Sequence, residues 1–160
     1  MKPSHRTLTI ATAAVAFLGL IQVVPYGRQH INPPQRVEPA WNSVQTRDLA
    51  QRACFDCHSN ETRWPWYANV APISWRIQQH VDEGREKLNF SMFQRPQKEA
   101  HESAKTVRNG EMPPRDYLIA HPAARLSDAE KQALIAGLAA TLGDARNGRE
   151  SHREMSLLDP

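Results

Sequence analysis

Two cysteines stand three positions apart in this chain, with a histidine directly behind them: Cys54-Phe55-Asp56-Cys57-His58. No other stretch limits the fold as strongly. A Cys-x-x-Cys-His run is the pattern through which haem is attached covalently in c-type proteins. Each thiol adds across one vinyl group and leaves a thioether, and the adjoining imidazole meets the iron from the proximal face. A chain built this way must pack its core around a flat, largely apolar cofactor. The chain has no further cysteine, so both are accounted for and none is left over.

Rival readings of the motif lack support elsewhere in the chain. A thioredoxin-like dithiol follows a strand in a βαβ pattern, and no such strand is recognisable. A structural zinc site takes four ligands, and no second Cys-x-x-Cys or His-x-His cluster completes a set. Nor does charge point to nucleic acid. The 160 residues include 20 basic and 17 acidic ones, a formal +3. Lys2 and Arg6 precede an apolar N-terminal run, so the remainder holds 18 basic and 17 acidic residues. Two haem propionates would take that remainder to about −1 near pH 7. No basic stripe interleaved with aromatics is present.

Residues 8–24, LTIATAAVAFLGLIQVV, have only Thr9, Thr12 and Gln22 as polar members. As a helix the run would be about 26 Å long, slightly short of a hydrocarbon core of about 30 Å. Thr7, Pro25 and Tyr26 extend it. With Lys2 and Arg6 held in the cytoplasm, the rest of the chain would be exported. The expectation is an uncleaved signal-anchor over residues 1–26: a transmembrane helix in the inner membrane, single-pass, with the domain in the periplasm. The alternative is a cleaved signal peptide and a soluble periplasmic protein. Ala11-Thr12-Ala13 and Ala14-Val15-Ala16 have the small residues of a cleavage site, but they lie inside the apolar run rather than after it.

Residues 27–40 are rich in proline and polar groups, with Pro33, Pro34 and Pro39 opposing helix. They read as a semi-stiff spacer, with His30 solvated in it. The domain spans residues 41–143. The spacing of Leu49, Ala50, Ala53, Cys54 and Cys57 predicts a helix over 47–57 with Thr46 as its cap, its cysteines facing the cofactor. Trp64, Trp66 and Tyr67, around Pro65, read as an aromatic loop over a cofactor edge, and Arg63 either meets a propionate or is solvated.

A second helix is predicted over 73–88, with Ile73, Ile77, His80, Val81, Gly84 and Leu88 on one face. His80 on such a face reads first as a core residue, and second as an iron ligand. A polar surface helix from Pro96 onward carries a solvated His101 and ends at Asn109-Gly110. Met112, with Pro113 and Pro114 directly after it, cannot sit inside a helix. Its thioether on a stiff segment reads as the sixth ligand of the iron, since His/Met ligation is an electron-transfer arrangement. A gap-filling core methionine is the alternative. Ser127 and Glu130 form a capping box ahead of Leu134, Ile135, Leu138 and Leu142, and Gly143 ends that helix. Residues 144–160 read as a charged, flexible tail.

With these residues in place, the chain resembles single-haem class I cytochromes c and, within them, the membrane-anchored bacterial haem-binding domain family. The carrying stretches are RACFDCHSNETRWPWY, VDEGREKLNFS, GEMPP and LSDAEKQALIAGL, within residues 22–142. The resemblance implies an all-α fold with the first and last domain helices crossing beside one covalent haem c. It places the thioethers on Cys54 and Cys57, the proximal iron ligand on His58 and the distal one on Met112. The residues themselves leave His80, and His121 beside Pro122, as competing distal candidates. Where such cytochromes often carry an aromatic residue in the last helix, this chain reads LIAGLAATL. Ala50, Ala53 and Gly137 would permit a closer crossing. The expected function is electron transfer with redox partner proteins of a respiratory chain, with the membrane reached through the N-terminal helix and no enzyme activity. The alternatives are a haem-based sensor or binding module, and a peroxidase-like enzyme with His80 or His101 beside an open iron.

Overall fold

The computed structural model describes residues 4–143. The charged tail expected from residue 144 onward lies outside the described residues. Those described fold into seven α-helices and three short 3-10 helices, and one parallel bridge between Val37 and Met92 is the only strand-like pairing among them. The all-helical expectation is met.

The expected transmembrane helix is not. Helix α1, His5–Ile21, is 17 residues long and buries none of them. No helix among the described residues is long and apolar enough to cross a membrane. The helix starts with His5 and Arg6, so its apolar part begins only at Leu8. It then stops at Ile21, where the backbone tightens into i−3 bonds (Gln22 to Gly19, Val23 to Leu20, Val24 to Ile21) ahead of Pro25, which has no N–H to give. The Gln22 side chain bonds the Leu18 carbonyl and the Ala71 backbone. Val23, Val24 and Tyr26, counted toward the span in the sequence, lie beyond the helix. About 20 apolar helical residues are needed to cross a bilayer. The single-pass inner-membrane placement falls with the helix.

Residues 27–40 lie along the domain. Arg36 and Val37 donate backbone N–H groups to the Ser91 carbonyl at 3.0 and 3.3 Å, and Phe93 N–H returns to the Val37 carbonyl at 2.8 Å. Asn60 Nδ2 donates to the Pro34 carbonyl, and Arg85 reaches the Ile31 carbonyl and Asn32 Oδ1. At Gly27 the backbone has φ +78°, and an added Cβ would collide with the Ser74 carbonyl.

Helix α2, Val44–Ala53, is capped by Ser43 rather than Thr46: the Ser43 hydroxyl accepts the Thr46 N–H at 3.1 Å. Thr46 is instead a buried residue of the first turn. The helix predicted to run through residue 57 breaks at Cys54, where φ is −127° and ψ −33°, and restarts as α3, Phe55–His58. Helix α4, Ile73–Lys87, buries Ser74, Val81 and Gly84, while Ile73, placed on that face by its spacing, is exposed. The helix expected from Pro96 begins only with a 3-10 turn at Ala100–Glu102 and continues as α5, Ser103–Arg108. After Gly110, at φ +73°, the chain reverses direction. A short α6, Arg115–Ala120, comes after Pro114. Helix α7, Asp128–Leu142, opens on the predicted capping box: Ser127 Oγ accepts from Glu130 N–H while the Glu130 carboxylate accepts from Ser127 N–H at 2.8 Å. Gly143 ends it at φ +86°.

The core joins α2, α5 and α7. Leu49, Ala50 and Ala53 meet Leu134, Ile135 and Leu138, with Ala104 and Val107 alongside. Each fully buried large side chain contributes about 1.5–3 kcal/mol. Phe55 stacks on Phe90 at 5.4 Å between ring centroids, and Trp41 lies 5.1 Å from Phe90. At the α2–α7 contact a Cβ on Gly137 would clash with the Thr46 side chain, 2.8 Å from its Cβ. The close, small-residue approach expected of Gly137 is present, and it is made against Thr46.

Candidate functional site

Helix α3 is one turn long, and that turn delivers the motif. Phe55 is its apolar anchor, buried against Phe90. Cys54 precedes the turn, and Cys57 and His58 close it. The Cys57 and His58 N–H groups both donate to the Cys54 carbonyl, at 3.2 and 2.9 Å, which draws the three residues together. All three border a cavity of about 370 Å³. The rest of its wall includes Ala53 of α2, residues of α4, α5 and α6, Leu88 and Phe90, Glu99 and Glu102, Leu138 of α7 and the segment Glu111–Pro114.

Helix α4 comes very close to α3. A Cβ on Gly84 would lie 2.6 Å from the Cys57 carbonyl oxygen. That proximity puts the Gly84 carbonyl 3.0 Å from His58 Nδ1, and the Leu88 carbonyl is also at 3.0 Å. Two carbonyls can only accept, so Nδ1 carries the proton and donates, and Nε2 is the nitrogen left for a metal. Burial lowers the His58 pKa, against the opposing pull of the Leu88 and Gly84 carbonyls, and so favours the neutral ring that a metal requires. Burial also pushes the Cys54 thiol up to about 12, with a smaller contribution from Cys57, and the Cys57 thiol up to about 11, with Asp56 adding to it.

The cavity also takes in Met112, on the segment between Gly110 and Pro113. Glu111 and Met112 N–H groups donate to the Thr106 carbonyl at 3.0 and 3.3 Å, which seats the turn on α5. Met112 is 37 % exposed. His80 borders the same cavity from α4. His101 is exposed beside Glu102, and His121 lies outside the cavity wall, stacked on Tyr117 at 4.0 Å. Glu83, Glu99, Glu102 and Glu111 also line the cavity, with Lys87 4.0 Å from Glu99.

The aromatic loop does not cover this cavity. Trp64 stacks on His30 at 4.7 Å and donates Nε1–H to Asn32 Oδ1, while Trp66 is 79 % exposed. His30, expected in solvent, is thus held by a ring and by the Ala68 carbonyl at 3.1 Å. Arg63 is committed to Asp56: its backbone N–H and Nε donate to Oδ1 at 3.1 and 3.2 Å.

A cavity holding two thiols, a histidine of fixed tautomer and a thioether matches the donor set of a haem pocket. The comparison with known families agrees: a model of a haem-binding domain matches residues 16–140. The chain belongs to the haem-binding domain family. No curated protein and no solved structure matches it. For a haem-binding domain, the sequence missed three participants. The Gly84 and Leu88 carbonyls orient His58, and acceptors of this kind depend on where the backbone runs, not on side-chain type. Tyr117 is the third: it borders the cavity and donates its hydroxyl to Asp56 Oδ2 at 2.7 Å. The only signal for it was an aromatic residue soon after the paired prolines.

Proposed function

We propose that this haem-binding domain is a single-haem c-type cytochrome that carries electrons in the periplasm. Cys54 and Cys57 form the thioethers, His58 binds iron through Nε2 and Met112 supplies the sixth ligand. The bound haem supplies a one-electron couple. The observation that carries the reading is the pair of carbonyls on His58 Nδ1. A histidine kept merely for core packing needs one partner on that nitrogen. Here two acceptors, from Gly84 and Leu88, hold the ring beside both thiols. A hydrogen-bonded outer nitrogen orients a ligating imidazole and raises its basicity.

The other residues act on orientation and exclusion. Phe90, Val107 and Leu138 keep the inner wall apolar, which favours the lower-charged reduced state. The Thr106 carbonyl seats the Met112 turn, and Pro113 and Pro114 stiffen the chain beyond it. The cavity's open side leaves a route for electrons to a partner protein of a respiratory chain. His80 shares the cavity wall, so bis-histidine ligation is the second reading, with a lower potential.

The test is covalency. Holoprotein subjected to acid-acetone extraction and denaturing electrophoresis should retain its haem. Cys54→Ala should keep one thioether, and Cys54→Ala with Cys57→Ala none. Release of the haem from the unmodified protein on denaturation would refute c-type attachment.

A further inference from the structure

Helix α6 buries none of its residues, although it lies next to the cavity. Tyr117 and Leu118 are half-buried, so apolar packing holds it only weakly, and Arg125, just behind it in sequence, bonds the Leu118 and Ile119 carbonyls. Two side-chain links tie it to distant elements. Asp116 accepts from Arg76 Nη2 at 2.7 Å, and Tyr117 donates to Asp56 Oδ2 at 2.7 Å. The first is an exposed ion pair, which contributes little. The second is a charge-assisted bond to a carboxylate that is only 6 % exposed. Asp56 lies between the two cysteines, and its other oxygen is fixed by Arg63.

The connection from Tyr117 back to Met112 is short and stiff. Pro113 and Pro114 come directly after Met112, and α6 begins at Arg115. Two successive prolines allow little play. Upstream, the Met112 turn is seated on α5 by the Thr106 carbonyl, which accepts from Glu111 and Met112 N–H, and by the Val107 carbonyl, which accepts from Gly110 N–H. Any drift of α6 away from α3 would therefore pass to the methionine.

We propose that the Tyr117 hydroxyl and the Asp56 carboxylate form a latch that ties the Met112 segment to the haem-attachment turn, which makes Tyr117 a positioning residue for the sixth ligand. The inference rests on the reading of Met112 as that ligand. The latch sets how often the methionine leaves the iron. It thereby sets how readily an outside molecule reaches the sixth position. Tyr117→Phe keeps the ring that stacks on His121 and removes only the hydroxyl.

The experiment uses the full-length holoprotein. It records the ferric methionine–iron charge-transfer band and the rate at which the ferrous form captures carbon monoxide. The unmodified protein should show the band and capture slowly. In Tyr117→Phe the capture rate should rise about tenfold, the change expected when one hydrogen bond to a charged group is lost. Asp116→Asn should stay within about twofold, because its ion pair is exposed. Asp56→Asn should change in the same direction as Tyr117→Phe, and the double variant should add little to either, as expected for partners in one contact. Asp56→Asn also serves as the test if Tyr117→Phe does not accumulate. Should the unmodified protein show the band while Tyr117→Phe, or Asp56→Asn in its place, captures at the unmodified rate, the latch is refuted and the ligand assignment stands. If the unmodified protein lacks the band, the assignment itself fails and the latch fails with it.

Discussion

Gly84 shows how one residue serves both packing and chemistry. Its missing side chain lets α4 approach Cys57, and its carbonyl accepts a hydrogen bond from His58 Nδ1–H. Gly84→Ala would place a Cβ 2.6 Å from the Cys57 carbonyl oxygen, with backbone on both sides of the contact. Overpacking of this kind costs about 1–3 kcal/mol. The variant should unfold at correspondingly lower urea concentration, and its haem spectrum should change as His58 loses its seat. An unchanged unfolding midpoint would mean that α4 can shift freely. At this scale the sequence was legible where chemistry resides in side chains. Cys54, Cys57, His58 and Met112, singled out by type, all border one cavity. It was silent on the carbonyls of Gly84 and Leu88, because every residue has a carbonyl and only the fold decides where it points.

Among the elements, helix ends carry the clearest local instructions. The capping box of α7 formed as its spacing predicted, and it is linked to α2 because Arg52 Nη1 donates to Glu130 Oε1 at 2.6 Å. Ser127→Ala should cost about 1 kcal/mol, read as a shift in the urea midpoint. The Glu130 carboxyl is held down from its ordinary 4.5 to about 2, first by the Ser127 backbone N–H and then by Arg52. Its folded-state value lies below its unfolded one. Its contribution is therefore complete above pH 4.5 and is lost as pH falls from there through about 2. Glu130→Gln should reduce stability at neutral pH and flatten the acid limb in that window, as measured by urea unfolding at a series of pH values. An acid limb identical to that of the unmodified protein would remove this role. Helix α2 was predicted to run on through Cys57 because apolar spacing continues across Cys54, and periodicity carries no mark of the backbone break there. Helix α6 went unseen because six residues are too few to establish a period.

For the whole molecule, the largest correction concerns the N-terminus. Composition over residues 8–24 suggested a span, but helix length depends on where the backbone bonds stop, and here the helix ends at Ile21, ahead of Pro25. The proline-rich segment behaves likewise. Its prolines exclude helix, yet the free N–H groups of Arg36 and Val37 pair with Ser91 and bring the segment onto the domain. That pairing depends on contacts distant in sequence, which local pattern does not encode. The haem-binding assignment, in contrast, rests on a local motif and was legible at once. The role of the bound haem turns on whether the iron is closed by a thioether. The most direct measurement is the spectrum of Met112→Ala beside that of His80→Ala, each in the ferric and ferrous states. Met112→Ala should keep its covalent haem, become high-spin, bind carbon monoxide readily and show a lowered potential. His80→Ala should remain low-spin. A low-spin Met112→Ala together with a high-spin His80→Ala would contradict the account and establish bis-histidine ligation in its place.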